Sequence, residues 1–257
     1  MTERDDNGAS GIRLVVGANR GIGLALTEAQ LADPAVLRVI ATCRPGADQS
    51  QLDRLSRLHG DRLERFSLDV TDTEGLESLE EHLVNLGAGV DVAIHAAGIL
   101  HEGPLQPEKS LADCEAAGLA RMFQVNSIAP LMVARAVLAA QTRKRRFVFA
   151  ALSAMVGSIS DNRLGGWYGY RSSKAALNQL IKTLSIECRS RYPRGQILAI
   201  HPGTTDTDLS RPFQRSVKPG RLYSPEQSAA RILEVIRNSP DDQSGSFLNW
   251  DGRKIPW

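Results

Sequence analysis

Residues 12–32 read IRLVVGANRGIGLALTEAQLA: a short apolar, β-branched run, a turn carrying Gly17, Gly21 and Gly23, and then a helical pattern. Strand, glycine turn and helix in that order make a cradle for an anion. Backbone without Cβ atoms can turn tightly and approach a phosphate, and the first amides of a helix are donors without partners. The spacing is GxxxGxG rather than the GxGxxG of the general dinucleotide fingerprint. The alternation set up here continues to the end of the chain. Apolar runs near 12–17, 37–42, 63–68, 90–96, 146–152, 196–201 and 245–249 predict strands, and amphipathic patterns at about 21–32, 49–59, 73–86, 112–141, 167–191 and 225–238 predict helices. Strands alternating with helices imply an α/β fold, a single-domain doubly wound parallel sheet with helices on both faces, over residues 11–257. Residues 1–10 read as a flexible tail.

Ligands of such sheets collect beyond the carboxyl ends of the strands. A second stretch, GGWYGYRSSKAALNQLIKTLSIE at 165–187, places Tyr170 and Lys174 four positions apart at the start of a helical pattern. That spacing puts both on one helical face, about one turn apart. A free phenol has a pKa of about 10, and an ammonium within ~4–6 Å favours the phenolate and lowers that value, which makes the tyrosine a candidate proton donor.

The segments GANRGIG, LDVTD, HAAG, VNSIAP, YRSSK and HPGTTDTD, in this order and at these separations, resemble the short-chain dehydrogenase/reductase family over nearly the whole chain. The block LSAMVGSISDNRLGGWYGYRSSKAALN and the closing WDGRKIPW look most like its C-factor-like branch, which also includes carbonyl reductases. The resemblance implies a Rossmann-type fold and a nicotinamide dinucleotide whose pyrophosphate rests on Gly17, Asn19, Arg20, Gly21, Ile22 and Gly23. It assigns Asp69 to the adenine amino group with Val70 beside it, and Ala96, Ala97 and Gly98 to close approach of the adenosine ribose. Pro202 and Gly203 open PGTTDTD, where the Thr205 backbone and the Thr207 hydroxyl meet the carboxamide and phosphate end. Plain structural roles stand beside these: Asp69 suits a turn or helix cap, and Pro-Gly after a strand suits a turn. HAAG replaces the family's Asn-Asn-Ala-Gly, which leaves open how that strand is tied to its neighbour.

In the implied reaction Tyr170 gives its proton to a carbonyl oxygen while the nicotinamide passes hydride to the carbon. Lys174 stabilises the phenolate and holds the nicotinamide ribose, and Asn126 in FQVNSIAP kinks the preceding helix and holds a water by the lysine. Most members use the second of two serines after the fifth strand. A register anchored on Gly157 puts Ala154 there and Ser153 one position early. Ser153 is the candidate kept, with Ser158, or no serine, as the alternatives. At the end of the second strand VIATCRPG offers Cys43 and Arg44 where a carboxylate would select an unphosphorylated ribose. Arg44, with Arg20 as a second cation, could clamp a 2′-phosphate, so NADP(H) is favoured over NAD(H).

The bulk properties fit one buried domain. With 257 residues, 42% hydrophobic content and a net charge of +2, the chain gives no general electrostatic case for nucleic acid or membrane. The clusters RKRR at 143–146 and RSRYPR at 189–194 read as solvated helix ends. Three scattered cysteines suggest neither disulfides nor zinc, and fit a reducing cytoplasm. No metal site is expected among five scattered histidines, and His95 and His201 read as satisfied by local hydrogen bonds. No stretch approaches the ~20 apolar residues of a membrane span. Residues 204–224 are expected to form a lid. Trp167 and Tyr168 would make aromatic walls for an apolar or ring-bearing carbonyl or alcohol, while Arg163, Arg211 and Lys218 could instead meet an anionic group. The resemblance also implies a homodimer or homotetramer through the helices near 112–141 and 167–191. A different class of reading is a C-factor-like signalling or interaction protein that binds a dinucleotide with little turnover.

Overall fold

A computed structural model describes residues 11–257, so the tail expected at 1–10 lies outside the described residues. Seven strands form one sheet: β1 (Ile12–Val16), β2 (Arg38–Cys43), β3 (Leu63–Ser67), β4 (Val92–His95), β5 (Phe147–Leu152), β6 (Gly195–His201) and β9 (Phe247–Asn249). Their order is β3-β2-β1-β4-β5-β6-β9, every pairing parallel. The winding reverses between β1 and β4, which opens a crevice at the carboxyl edge. Two-residue strands β7 (Thr204–Thr205) and β8 (Leu222–Tyr223) pair outside the main sheet, with a 3₁₀ segment Arg211–Ser216 between them.

Helices α1 (Gly21–Leu31), α2 (Ser50–His59) and α7 (Pro225–Asn238) cover one face, and α3 (Thr73–Asn85), α5 (Ala129–Ala139) and α6 (Tyr168–Arg191) the other. The alternation along β1 decides this. Leu14 and Val16 pack with Leu79, Val133 and Leu177, whereas Val15, between them, packs with Leu26, Leu52 and Ile232. With both faces covered, the central strands are buried along their length, and every residue of β5 is buried.

The expected helix at 112–141 is not one α-helix. Leu111–Asp113 form a 3₁₀ turn, α4 runs over Ala116–Phe123, and Gln124–Ile128 widen into a π turn before α5. A π turn inserts a residue into the helical ladder and frequently marks a functional site. Here it carries Asn126. The combined rod Ala116–Ala139 is also long and apolar enough to cross a membrane by length and composition, contrary to the expectation that no such stretch exists. It lies against α3 and α6, with Met122, Val125, Val133 and Val137 buried, which accounts for its apolar character.

Arg145, expected at a solvated helix end, turns inward. It pairs with Asp91, which Arg13 also meets at 2.8 Å, so two guanidinium groups hold one nearly buried carboxylate at the amino edge of the sheet. Removing either cation would leave that charge undercompensated.

Candidate active site

The glycine turn has the shape of a phosphate cradle. Gly17 has φ +83°, and a Cβ there would come within 2.9 Å of the Ala97 backbone. A Cβ on Gly23 would sit 1.9 Å from the Gly17 carbonyl oxygen, so helix and turn close on each other only with glycine at both positions. Arg20 is the N-cap of α1, no side chain caps that helix start, and no acid lies in its first turn. Free amides at the positive helix end suit a pyrophosphate. Thr207, in the 204–224 segment, lies over the turn, its Cγ2 3.1 Å from where a Gly21 Cβ would be. Asn19 donates to the Asp48 carbonyl at 3.2 Å, and Ile22 packs partly buried under the turn. Thr205 is buried with its hydroxyl on Ser228 at 2.7 Å, and its main-chain carbonyl accepts from the Ser210 hydroxyl at 2.5 Å and from the Thr207 hydroxyl at 3.5 Å.

The two cations expected to share a 2′-phosphate are held by different partners. Arg44 meets Glu102 at 2.9 Å, and Glu102 is also bound by Arg121. Arg20 instead meets Asp208 of the 204–224 segment at 2.9 Å. Both arginines are exposed, and such pairs are worth little, so either can be given up for a phosphate. Asp69 accepts from the Thr71 amide and hydroxyl at 2.9 and 2.7 Å, forming a turn, with Val70 buried beside it.

Tyr170 and Lys174 lie on the buried face of α6, as their spacing predicts. Lys174 Nζ donates to the Leu152 carbonyl at 2.8 Å and lies 5.8 Å from the centre of the Tyr170 ring. Burial holds the Lys174 ammonium down at about 8. The tyrosine departs from expectation: burial pushes its pKa above the ordinary phenol range rather than letting the ammonium lower it. Desolvation penalises the phenolate, and the amine's proton is turned to a main-chain carbonyl.

The strand that HAAG ends is tied to β1 by the Ala96 amide on the Val16 carbonyl at 2.9 Å, and Asn126 ties the segment that follows it to the π turn. Its Nδ2 donates to the Ile99 carbonyl at 2.8 Å, its Oδ1 accepts from the Ile99 amide at 2.9 Å, and Nδ2 also reaches the Ser173 hydroxyl at 3.2 Å. A Cβ on Gly98 would stand 3.2 Å from Asn126 Oδ1 and 3.6 Å from Lys174 Nζ. The Ala96–Ala97–Gly98 turn, the π turn and the lysine therefore meet at one point.

Ser153 does not join them. Its hydroxyl donates to Asn178 Oδ1 at 2.7 Å, two turns along α6 from Tyr170. Ser158 donates to the Pro256 carbonyl at 2.6 Å. Ala154 is the residue packed into the apolar cluster of Leu100, Met122 and Tyr170, because successive residues of an extended chain face opposite ways. Trp167, Leu209 and Phe213 complete that cluster, the Phe213 ring standing 5.0 Å from Trp167. Tyr168, expected as a second wall, is 43% exposed and outside it. Leu209 and Phe213, both in the 204–224 segment, carry no motif that marks them in the sequence.

His95 and His201 are satisfied only in part: His95 bonds its own main chain, while its Nε2 and the Nδ1 of His201 are buried without a hydrogen-bond partner. Burial, helped by Lys174, holds His95 at about 3, so it is neutral beside the lysine.

The model of the short chain dehydrogenase family matches residues 12–218. A 1-hydroxy-2-glutathionyl-2-methyl-3-butene dehydrogenase of Rhodococcus sp. is 31% identical over 246 residues, covering 95% of this chain and 98% of its own. The C-signal of Myxococcus xanthus is 32% identical over 169 residues, covering 65% of this chain and 93% of its own. Among solved structures, the NADPH-bound carbonyl reductase from chicken fatty liver aligns with a TM-score of 0.84 and 28% identity, covering 96% of this chain and 94% of that one. With its glycine cradle, its parallel sheet and a family match spanning most of its length, this chain belongs to the short-chain dehydrogenase/reductase family of oxidoreductases.

Proposed function

We propose that the protein is an NADP(H)-dependent carbonyl reductase that moves a hydride between the nicotinamide and an apolar, ring-bearing carbonyl or alcohol. The observation that carries this reading is Tyr170, set in an apolar cluster with the buried amine of Lys174 close by and the Asn126 turn alongside. The residues lining the glycine turn fit the dinucleotide, and Arg44 supports a 2′-phosphorylated one. NADPH in the chicken carbonyl reductase agrees with that choice. The bound cofactor supplies the hydride.

The chain's own residues handle the proton and the placement. A raised phenol pKa keeps Tyr170 protonated at neutral pH, as a donor to a carbonyl oxygen must be. Lys174 offers its remaining ammonium hydrogens toward the crevice and stabilises the phenolate left behind. Trp167, Leu209 and Phe213 exclude water from the reacting carbonyl, and residues 204–224 act as the lid that carries two of them. With Ala154 in the serine's place, Tyr170 is the principal hydrogen-bond donor this group of residues offers to the carbonyl oxygen.

The test is NADPH consumption with a panel of quinones, aldehydes and diketones, repeated with Tyr170→Phe. Turnover that the variant abolishes supports the reading, and turnover that it leaves intact refutes it. The absent serine and the C-signal likeness favour a second reading, a dinucleotide-binding signalling protein with little turnover. Tight NADPH binding with no oxidation by any compound would select it. We further place the protein in the cytoplasm as a dimer or tetramer built on α4–α5 and α6, where Ile128 and Ile186 are exposed.

A further inference from the structure

Helix α6 begins without a cap of its own. Trp167 is its N-cap residue, no side chain in the segment caps it, and its first turn holds no acid. Trp167 also has φ +52°, the one non-glycine residue in the left-handed region among the described residues. A bulky ring side chain adopts that conformation only when the surroundings hold it there.

Glu108, 61 positions before Gly169, supplies the hold. Its main-chain carbonyl accepts from the Trp167 amide at 2.5 Å, and its carboxylate Oε2 accepts from the Gly169 amide at 3.1 Å. The side chain is buried, only 4% exposed, and the glycine is needed for its approach. A Cβ on Gly169 would lie 2.8 Å from Glu108 Oε1 and 3.1 Å from Met122 Cγ. The carboxylate therefore caps the helix from a distant loop and places a negative charge at its positive end. Arg171 Nε closes the other side of the turn on the Gly165 and Gly166 carbonyls at 3.2 and 3.0 Å.

The next residue after Gly169 is Tyr170. The turn held by Glu108 fixes where the phenol's helix begins, and it sets the Trp167 ring against the phenol, 6.3 Å between centres at 71°. We propose that Glu108 is a positioning residue for proton transfer from Tyr170, acting through the Trp167–Gly169 turn; the inference rests on Tyr170 being the proton donor. No sequence pattern marks it, since it is a lone acid in a loop.

Glu108→Gln keeps an acceptor for the Gly169 amide, Glu108→Ala removes it, and Gly169→Ala drives a methyl group at Oε1. NADPH oxidation with 4-nitrobenzaldehyde and with menadione, NADPH affinity by fluorescence, and hydrogen exchange at the Trp167 and Gly169 amides are measured for each. Glu108→Ala and Gly169→Ala are expected to lower kcat about ten- to a hundredfold, the scale of a small misplacement of reacting groups. NADPH affinity should hold, and the Gly169 amide, which loses its side-chain acceptor, should lose protection. Glu108→Gln should retain kcat within about twofold, through the same hydrogen bond. Unchanged kcat or unchanged protection in the alanine variants overturns the inference, as does a loss of NADPH affinity in step with kcat. If Glu108→Ala fails to fold, Gly169→Ala decides on the same criteria. A Tyr170→Phe enzyme as active as the parent would instead overturn the donor assignment, while the exchange data still judge whether Glu108 holds the turn.

Discussion

On the proposed function, Ala154→Ser should speed carbonyl reduction. Ala154 follows β5 in an extended conformation, φ −146° and ψ 149°, and packs into the cluster that includes Tyr170. A serine there adds one hydroxyl to the wall of the proposed reaction chamber without displacing the backbone. Losing one oxyanion donor from an enzyme built around it costs ~2.7–4 kcal/mol. The gain here should be smaller, because nothing in the cluster is arranged to orient the new hydroxyl and its apolar neighbours bind it poorly. An increase of about ten- to a hundredfold in kcat is expected, equivalent to about 1.4–2.7 kcal/mol. The unsatisfied hydroxyl should at the same time cost the empty enzyme about 1 kcal/mol of stability. Steady-state NADPH oxidation at saturating substrate measures the first effect and urea unfolding the second. Ser153→Ala is the control: it removes the 2.7 Å bond to Asn178 and should cost about 1 kcal/mol of stability while leaving kcat within about twofold. An inactive Ser153→Ala protein together with an unimproved Ala154→Ser protein would refute the placement of both residues.

Two further outcomes follow from the charges in the crevice. Lys174 is held at about 8 by burial, against about 10.4 for a free lysine, so between those pH values the unfolded chain binds a proton that the native chain does not. Lys174 should therefore add stability as pH rises across that window, opposed in its upper part by Cys188, whose thiol burial raises to about 11; kcat/KM for reduction falls as pH passes about 8 and the charge is lost. Lys174→Met should remove the rising contribution, and a stability profile that it leaves unchanged would assign the titration elsewhere. Arg44→Ala should weaken NADPH binding about five- to thirtyfold and leave NADH nearly unchanged. That range is a charge-assisted bond of ~1.5–3 kcal/mol less the weak pair with Glu102 that must first be released; equal losses for both cofactors would remove Arg44 from the phosphate.

The fold was legible because its signals are local. Leu14, Val15 and Val16 announce a strand buried on both faces, and the glycines that follow include Gly17 and Gly23, where a side chain would collide with backbone. What the periodicity missed are places where a side chain from elsewhere overrides it. Residues 112–141 keep an apolar stripe throughout, yet Asn126 binds both backbone groups of Ile99 at the point where the helix widens into a π turn. Arg145 reads as a surface cation because Asp91, its partner 54 positions away, is invisible to any local window.

The site divides along the same line. Tyr170, Lys174 and Asn126 were legible as residues, but their electrostatics were not, since spacing reveals a neighbouring charge and says nothing about solvent. Tyr170 and Lys174 are both buried, and desolvation moves the phenol up and the amine down, away from each other. That divergence suits the proposed donor, which must stay protonated until the carbonyl arrives. It also explains why the serine position matters more here than spacing implies: where the phenol resists ionisation, a second donor on the carbonyl oxygen would reduce the proton transfer demanded of Tyr170 at the transition state. Ala154 withholds that help, and the apolar wall of Trp167 and Phe213 adds none. The cost of making the phenolate then falls on Lys174 alone, which links the pH dependence of that amine to the effect of restoring a hydroxyl at position 154. In Ala154→Ser enzyme the decline of activity above pH 8 should be shallower, because less phenolate character has to be stabilised by the ammonium.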